Sequence, residues 1–520
     1  MRSRFFCGKE RPEIDKTPFS VYNYIIKTNA GIPARKEKAA MYIGGLDVGS
    51  GGCKLTISDE RGNFVGTRYI PYEAKHTDRT HTIDTSLILS SVGRLLSDPG
   101  VRLDALGVTS FGESFVLLDE NDAILNEPML YNDPRGSEEC VTFDREKVEN
   151  TCCMTPTAIY TLPKLMWTRI HRPDLMRRAK KIMLMTDLVI YTLTGERVIN
   201  YSAAARTMGF DIRKKRWSED IFAHAGIDTA LMPTPVPDGT IVGTSSKFGL
   251  SGTKIITAMH DQNAASVGAG ALTPGDAVDG SGSVECVTPI VSSLPDDNGV
   301  YRAGATFQTY EEGMYSGCAM SYTGGAAVRW YRDSFGGGDS YRELDGGICS
   351  VKDNGNIDYV PGGILMMPHL AGAASPYMDP GSRALIYGMT LGSTKYDLYK
   401  AVLEGVAYEI RVNLGLLKKA DIRPKRLLAT GGGAKSRVWN QIKADITGLP
   451  ITTSALDEVG AAGVIMSCAR ALGVYGSLKD AAPYFVKEAD TYLPDDSRRR
   501  IYDELFGKYE RMYDLSLQLR

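Results

Sequence analysis

A strand, a glycine-rich turn and a second strand occur twice in this chain of 520 residues, once near the start of each half. The first copy reads YIGGLDVGSGGCKLTISDERGNFV over residues 42–65, with apolar β-forming runs on both sides of the turn at 49–52. The second copy, AVDGSGSVECVTPIV, places the turn 280–283 between two similar runs. Two such hairpins indicate an internal duplication. Because helix patterns follow both, the sequence predicts an α/β fold in two related lobes.

The segments after each hairpin alternate between helix and strand patterns. In the first half they predict a helix at 85–96, a strand at 105–110, a hairpin-like pair at 117–128 and helices around a short strand at 182–186. In the second half they predict helices at 395–418, 438–447 and 460–472, an apolar strand running into glycines at 426–434 and a short strand at 450–454. A chain of this length exceeds one hydrophobic core, so we expect two large domains.

Charge and hydrophobicity exclude several classes of function. Hydrophobic residues make up 43% of the chain and charged residues 23%, as in globular proteins that fold in water. The formal net charge of -2 provides no field that would attract nucleic acid or an anionic membrane. No apolar run approaches the ~20 residues that a membrane span requires. We therefore expect a cytoplasmic protein with a small-molecule partner, without nucleic-acid or membrane partners.

The nine cysteines and six histidines are dispersed along the chain. Cys152 and Cys153 are adjacent, but the cysteines form no paired CxxC framework. This pattern is typical of reduced thiols in the cytoplasm, and it gives no support for a structural zinc site.

The first forty residues differ from the rest of the chain, because Lys and Arg outnumber Asp and Glu there. They lack the compact apolar stretch and the small-residue cleavage pattern of a secretory signal. We expect residues 1–40 to be a poorly ordered extension or the product of a misplaced translation start.

The first glycine turn has the composition of a phosphate site. Glycines at 49 and 51 and Ser50 expose backbone N–H groups at close range, and Lys54 adds a positive charge. Asp47, at the entrance of the turn, is suited to a Mg²⁺ ion that keeps several of its waters. The alternative is a tight β-hairpin with no ligand.

Two further glycine turns are suited to anions. One lies at 280–283, and the other joins an apolar strand to a helix at 431–434. The alternatives are an ordinary hairpin for the first and a sharp strand-to-helix turn for the second. None of the three turns matches the GxxxxGK[ST] phosphate loop or the GxGxxG dinucleotide fingerprint.

Asp261 stands at the junction between the strand KIITAMH and a helix of small residues. A carboxylate at this junction either caps the helix or lies in a cleft, where it accepts a proton from an attacking hydroxyl. The residues around Asp261 leave both roles open.

The order of these segments resembles the FGGY carbohydrate kinases, the family of glycerol kinase and xylulokinase, from about residue 42 to about 474. The family's first phosphate motif, D-x-G-[TS]-x-x-x-[RK], appears as DVGSGGCK at 47–54. Its second phosphate motif appears as GSGS at 280–283, and its adenosine motif as GGGAKSRVWNQIKADITGLPI at 431–451. Two longer stretches, 107–136 and 368–405, are similar to its substrate loop and its signature.

The resemblance implies two ribonuclease-H-like lobes of the actin, sugar-kinase and heat-shock ATPase fold, with ATP and substrate in the cleft between them. The implied boundaries are 41–265 for the N-terminal lobe and 266–520 for the C-terminal lobe. Asp261 matches the catalytic base, and Asp47 and Asp261 match residues that hold Mg²⁺. The residues that match ATP and phosphate contacts are Gly49, Ser50, Gly51, Lys54, Gly280, Ser281, Gly282, Gly325, Arg329, Gly432, Gly433, Ala434 and Arg437.

The acceptor side departs from the best-known members of the family. Gly112 replaces an arginine or methionine, Tyr131 replaces a tryptophan, and His260 replaces a glycine. The residues expected to contact substrate are Gly112, Glu113, Tyr131, Tyr160, Asp261 and Gln262. They indicate a sugar, for example a ketose such as xylulose, or a polyol as acceptor, and a homodimer is a possible assembly.

Two other functions are compatible with the fold alone. One is an ATPase that needs no sugar acceptor. The other is a sugar-binding relative without catalysis, although the acidic residues at 47 and 261 and the lysine at 54 are intact. The resemblance favours transfer of the γ-phosphoryl group of ATP to a hydroxyl.

Overall fold

The computed structural model describes residues 40–77, 79–351 and 357–520. The predicted N-terminal extension, apart from Ala40, lies outside the described residues. The strands up to residue 257 are β1 (Tyr42–Gly49), β2 (Gly52–Asp59), β3 (Phe64–Pro71), β4 (Lys75–His76), β5 (His81–Thr82), β6 (Ala105–Ser110), β7 (Phe115–Leu118), β8 (Lys181–Leu184), β9 (Val198–Asn200), β10 (Phe210–Asp211), β11 (Arg216–Trp217), β12 (Thr234–Val236), β13 (Thr240–Ser245) and β14 (Thr253–Thr257). The helices of the same part are α1 (Thr85–Ser97), α2 (Ser137–Cys140), α3 (Arg145–Cys152), α4 (Thr161–His171), α5 (Pro173–Arg178), α6 (Met185–Thr194), α7 (Tyr201–Ala205), α8 (Glu219–Ala225) and α9 (Asp261–Gly268).

The rest of the chain forms the second set of elements. Its strands are β15 (Asp276–Ser281), β16 (Glu285–Val291), β17 (Thr306–Thr309), β18 (Tyr315–Ser321), β19 (Ser350–Val351), β20 (Ile357–Asp358), β21 (Leu365–Met367), β22 (Leu385–Tyr387), β23 (Arg426–Gly431), β24 (Ile451–Ser454) and β25 (Glu488–Tyr492). Its helices are α10 (Gly299–Arg302), α11 (Gly325–Phe335), α12 (Tyr341–Ile348), α13 (Lys395–Lys419), α14 (Arg437–Thr447), α15 (Val459–Ala471), α16 (Leu478–Phe485) and α17 (Asp496–Leu517).

Each half of the chain builds one large sheet. When the first sheet is read from β3 to β13, its strand order corresponds to that of the second sheet from β18 to β25, and β17 is an additional edge strand. The first sheet has six strands in the order β13-β14-β6-β1-β2-β3, and the second has seven in the order β17-β18-β16-β15-β23-β24-β25. In the first sheet β1, β6 and β14 are parallel, and β2 and β3 extend them as antiparallel strands. In the second sheet β15, β23 and β24 are parallel, and β16 and β18 are antiparallel. The repeated order agrees with the predicted duplication and with the α/β fold of two lobes.

The lobes meet along two helices that share one hydrophobic core. In this core α9 and α15 lie between the two sheets, so that Val267 and Ile465 pack with Ile43 of the first sheet and Leu428 of the second. The predicted lobe boundary between residues 265 and 266 falls within α9. The division itself stays a prediction.

One predicted element differs from the structure. The hairpin-like pair at 117–128 has one regular strand, β7, which pairs with β8 and only bridges to Ile124. Two backbone bonds join its arms, from the amide of Leu125 to the carbonyl of Leu117 at 2.9 Å and from the amide of Asp119 to the carbonyl of Ala123 at 3.1 Å. Beyond them the side chain of Asn126 interrupts the ladder, because its Oδ1 accepts from the amide of Leu117 at 2.7 Å and its Nδ2 donates to the carbonyl of Phe115 at 3.2 Å.

Two expectations from composition can be compared with the described residues. The eight cysteines of this part of the chain are free thiols, and Cys7 lies outside it. Among the helices described, none is both long and apolar enough to cross a membrane.

Candidate active site

A cavity of about 940 Å³ opens between the two lobes. Asp47 and Lys54 line it from the N-terminal lobe, and Gln262 lines it at the start of α9. From the C-terminal lobe it is lined by residues of the two other glycine turns and of the segment before α15, including Gly280, Ser281, Gly282, Gly432, Ala434, Arg437, Glu458 and Gly460. The second and third glycine turns therefore meet at one cleft with Asp47 and Lys54, which flank the first turn, whereas Gly49, Ser50 and Gly51 do not line this cavity.

The first turn is held by its carbonyl groups. Tyr69 Oη donates to the carbonyl of Gly51 at 2.8 Å, and Tyr72 Oη donates to the carbonyl of Gly49 at 2.6 Å. These bonds fix the loop between β1 and β2 from the carbonyl side. A turn fixed in this way can present backbone N–H groups to an anion without reorganising.

Lys54 bridges the lobes. It faces Asp47 across the β1–β2 ladder, and its Nζ lies 2.7 Å from Oε2 of Glu458, the residue before α15. The side chains of Lys54 and Glu458 are 29% and 28% exposed, so the pair is accessible from the cleft. The predicted phosphate contact of Lys54 thus has a carboxylate competitor, which sequence reasoning missed.

The second and third turns support each other. The amide of Gly325, the first residue of α11, donates to the carbonyl of Gly282 at 2.8 Å. A Cβ at Gly433 would lie 2.5 Å from Cβ of Ser281, so glycine is required for this close approach. The hydroxyl of Ser281 points into the protein, where it donates to Oε1 of Glu285 at 2.6 Å. Ser281 therefore offers the cleft its backbone, not its hydroxyl.

Two residues at the edge of the nucleotide side are less enclosed. Arg329 is exposed on α11, and its Nη2 lies 3.3 Å from the hydroxyl of Ser283. Arg437 begins α14 and lines the cavity, while the hydroxyl of Ser436 caps this helix by accepting from the amide of Trp439. Arg329 does not line the cavity, and the nucleotide contacts of both arginines stay predictions.

Asp261 is the first residue of α9, at the carboxyl end of β14. Its Oδ1 accepts from the amide of Gln262 at 2.6 Å and lies 3.1 Å from Nε2 of His260. His260, which is not bonded through its side chain to the helix backbone, occupies the cap position. Asp261 is thus not the cap residue itself, but its side chain satisfies an amide of the first helical turn, and its role as a base stays a prediction.

The environment of Asp261 raises the pKa of its carboxyl. Burial in the cleft raises the pKa of this carboxyl above its usual range, and the nearby carboxylates of Asp47 and Glu113 raise it further, while the amide of Gln262 and the charge of Arg206 oppose them. Burial also raises the pKa of Asp47 to about 6, although Lys54 lowers it. Strongly perturbed carboxyls in a cleft are typical of functional sites.

The acceptor side is organised around an ion pair that the sequence did not predict. Arg206 Nε lies 2.7 Å and Nη2 lies 2.5 Å from Oε1 of Glu113, and both side chains are buried. Glu113 has a φ of 66°, in the left-handed region that non-glycine residues seldom adopt. The guanidinium also lies 5.1 Å from the centre of the Tyr160 ring. Strained backbone and a buried charge pair at one point indicate a functional constraint.

Gly112 and His260, two departures from the family pattern, are coupled in space. A Cβ at Gly112 would lie 3.0 Å from Nε2 of His260 and 3.2 Å from Cβ of Arg206. A side chain at position 112 would therefore require this histidine and arginine to shift by a few tenths of an ångström. Burial and the charge of Arg206 hold the pKa of His260 well below its usual value, so the ring is neutral.

The other predicted substrate residues fall into two groups. Tyr131 is 50% exposed, and Gln262 lines the cavity. Tyr160 is fully buried, and its ring supports the guanidinium of Arg206.

The carboxylates of Asp47 and Asp261 fit the ligand set of a Mg²⁺ ion. The charge of Asp47 raises the cost of ionising Asp261, which a divalent cation would relieve. Mg²⁺ usually takes one or two carboxylates and completes its shell with water and phosphate oxygens. Within the described residues no group of three or more His, Cys, Asp or Glu side chains is placed to hold a metal ion.

Comparison with known proteins gives consistent similarities. Residues 42–268 match the model of the FGGY family of carbohydrate kinases, N-terminal domain, and residues 293–472 match the C-terminal domain model of that family. The xylulose kinase of Bacillus subtilis (strain 168) is 24% identical over 491 residues, which cover 91% of this chain and 96% of the relative. The glycerol kinase of Symbiobacterium thermophilum is 26% identical over 486 residues, which cover 89% and 96%. A solved structure described as a xyloylose kinase from Brucella ovis superposes with a TM-score of 0.84 at 23% identity, covering 92% of this chain and all of that one.

Proposed function

Because the chain belongs to the FGGY family of carbohydrate kinases and uses ATP to phosphorylate a sugar, we propose that Asp261 is its general base and a neutral ketose or polyol its acceptor. The observation that carries this proposal is the position of Asp261, next to the phosphate-type turn at Asp47 and next to the Glu113–Arg206 pair. A carboxylate between these two environments can take a proton from a hydroxyl on one side as a phosphoryl group arrives from the other.

The proposed reaction needs little covalent work from the protein. The glycine turns hold the phosphates through backbone N–H groups, and the acceptor hydroxyl lies in line with the γ-phosphorus. Asp261 accepts the proton of that hydroxyl as its oxygen bonds to phosphorus, and ADP leaves. A Mg²⁺ ion held by Asp47 and Asp261 would neutralise charge on the phosphate oxygens when bound.

The charge of the acceptor pocket favours neutral substrates. The carboxyl of Asp261 lies within the electrostatic reach of Asp47, Glu113 and Arg206, and the charge of the buried Arg206 is already paired with Glu113. An aldonate carboxylate would meet like charges in a site with little water, which costs several kcal/mol per unpaired charge. Hydroxyl groups, in contrast, can donate to carboxylates and accept from the guanidinium.

An acceptor screen tests this function. ATP turnover is measured with pentuloses, hexuloses, tetritols, glycerol and aldonates, and each rate is compared with the rate in water alone. We expect a neutral ketose or polyol to raise turnover at least about 100-fold over the water background, because a held hydroxyl is a far more effective nucleophile than free water.

Each other outcome of the screen has a distinct meaning. Preference for an aldonate would contradict the neutral acceptor. Turnover that is the same with every acceptor would favour an ATPase, and nucleotide binding without transfer would favour a non-catalytic sugar-binding relative. The predicted homodimer and the cytoplasmic location are separate proposals, tested by the molar mass in solution and by cell fractionation.

We predict that Arg206→Met raises the KM for the acceptor by about tenfold or more while the affinity for ATP changes less than threefold. The substitution leaves Glu113 buried without its partner, which costs about 3–5 kcal/mol, and removes the donor closest to the pocket. Steady-state kinetics with the best acceptor of the screen measures the effect. Arg302→Met is the matched control, because Arg302 pairs at 3.0 Å with the buried Glu149. An unchanged acceptor KM in Arg206→Met would remove this residue from the pocket.

A further inference from the structure

Lys443 on α14 is completely buried among charged groups behind the second glycine turn. Its Nζ lies 2.7 Å from Oδ2 of Asp279 and 2.5 Å from Oε1 of Glu285, and it also donates to the hydroxyl of Ser281. The ammonium lies 4.4 Å from the centre of the Trp439 ring. We name these five residues the Lys443 cluster. Of its members only Ser281 lines the cleft, and Lys443 itself lies behind it.

The strand register explains why three of these side chains meet. Asp279 and Ser281 are two residues apart on β15, so they share one face, and Ser281 lies directly opposite Glu285 across the ladder. That face looks toward α14. The three donors of the ammonium group meet three oxygen acceptors, so its hydrogen-bonding capacity is used up.

Such a cluster has a large desolvation free energy, because complete burial removes four polar groups from water. Burial alone would lower the pKa of Lys443, but Asp279 and Glu285 raise it above the usual value, so the ammonium stays charged. Within the described residues Oδ1 of Asp279 and Oε2 of Glu285 have no hydrogen-bond partner. Packing of apolar residues would stabilise the same space at lower cost, so stability alone does not account for the cluster.

All three glycine segments of the C-terminal lobe rest on the Lys443 cluster. A Cβ at Gly433 would lie 2.5 Å from Cβ of Ser281 and 2.7 Å from the ring of Trp439. A Cβ at Gly324, just before α11, would lie 2.5 Å from Oε2 of Glu285. The turn after β15 carries Ser281 itself. Any shift of the cluster therefore moves every nucleotide-facing turn of this lobe.

We propose that Lys443 is a positioning residue that holds the second glycine turn in register with the turn at 431–434, so that distal phosphates and adenosine are bound together. It touches no substrate and acts through Ser281 and Glu285. This inference rests on the proposed function, because it takes these turns to be the ATP site. Without Lys443, the adenosine side keeps its own helix and turn, whereas the 280–283 turn loses its anchor.

The test compares how much the phosphates add to binding. The dissociation constants of adenosine and of the β,γ-imido analogue of ATP with magnesium chloride are measured by calorimetry on the full chain. The ratio of interest is the dissociation constant of adenosine divided by that of the ATP analogue, which measures how much the phosphates add to binding. We expect Lys443→Met to reduce this ratio about tenfold or more, while the dissociation constant of adenosine changes less than threefold. A wild-type protein that binds neither probe would contradict the proposed ATP site. An unchanged ratio in a protein that binds both would contradict only the role of Lys443.

Two further variants separate positioning from general loosening. Arg498→Met removes another ion pair of the helix that carries Lys443. Arg498 lies on α17, and its Nε is 2.7 Å from the buried Asp445 of α14. This substitution should lower the melting temperature and leave the ratio intact; an equal fall in both variants would overturn the inference. The triple variant Asp279→Leu, Glu285→Met, Lys443→Met removes every buried charge at once and keeps the fold testable if the single variant is unstable. The ratio should stay low in the triple variant. A ratio that returned to the wild-type value would show that apolar packing is enough to hold the 280–283 turn, which would contradict the role of Lys443.

Discussion

Asp261→Asn is expected to lower kcat for phosphoryl transfer by about 10²–10⁴-fold, the range that a general base contributes. The amide keeps the size and the acceptor oxygen of the carboxyl, so the contacts with the Gln262 amide and His260 can persist. It cannot accept the proton of the attacking hydroxyl. Nucleotide binding should change little, because the three glycine turns are unaltered, and it is measured by calorimetry with ADP alongside the kinetics.

A second carboxyl provides the control for Asp261. Asp187 is fully buried on α6, and its Oδ2 accepts from the amide of Leu184 at 2.9 Å. Burial raises the pKa of this carboxyl well above its usual value, and Asp187→Asn keeps a side-chain oxygen that can accept from the amide of Leu184. Its kcat should match the wild type. Wild-type turnover in Asp261→Asn would refute the assignment of the base, and equal losses in both variants would point to a damaged fold.

The parts of the site that the sequence predicted are local. Asp47 and the turn at 49–52 lie on one hairpin, and Asp261 begins a helix directly after a strand, so a short motif contains all the information needed. The repeated sheet order was predictable for the same reason, because the two glycine hairpins mark the start of each half. The position of Asp47 and Asp261 in the cleft then follows from the way the two sheets and α9 are arranged.

The parts that the sequence missed depend on contacts between distant residues. Arg206 and Glu113 are 93 residues apart, and Lys54 and Glu458 are 404 apart. No spacing rule connects such pairs before the lobes are assembled. A weaker signal was present for the Lys443 cluster, because Asp279 and Glu285 interrupt two apolar strands at positions that face inward. Charged residues in such strands indicate a buried partner, but they do not say which one.

A methyl group at Gly463 is expected to disrupt the packing of the two lobes. In the middle of α15, a Cβ at this position would lie 1.9 Å from the carbonyl oxygen of Ala264 on α9, and the reciprocal contact is as close, with Gly268 1.8 Å from the carbonyl of Val459. Real Cβ atoms do not approach so closely, so the helices must separate. Gly463→Ala should therefore lose about 3 kcal/mol or more of stability, although alanine alone would favour the helix by about 1 kcal/mol.

Gly460→Ala on the same helix separates packing from helix propensity. No heavy atom lies within 4 Å of a Cβ placed at Gly460, so alanine gains its intrinsic helix preference without a clash. Thermal unfolding should show a melting temperature at or above the wild type for Gly460→Ala and well below it for Gly463→Ala. Since α9 begins with Asp261, moving this helix also displaces the proposed base, and kcat should fall in Gly463→Ala at temperatures where it remains folded. Equal melting temperatures in the two variants would mean that the lobes do not depend on the α9–α15 contact.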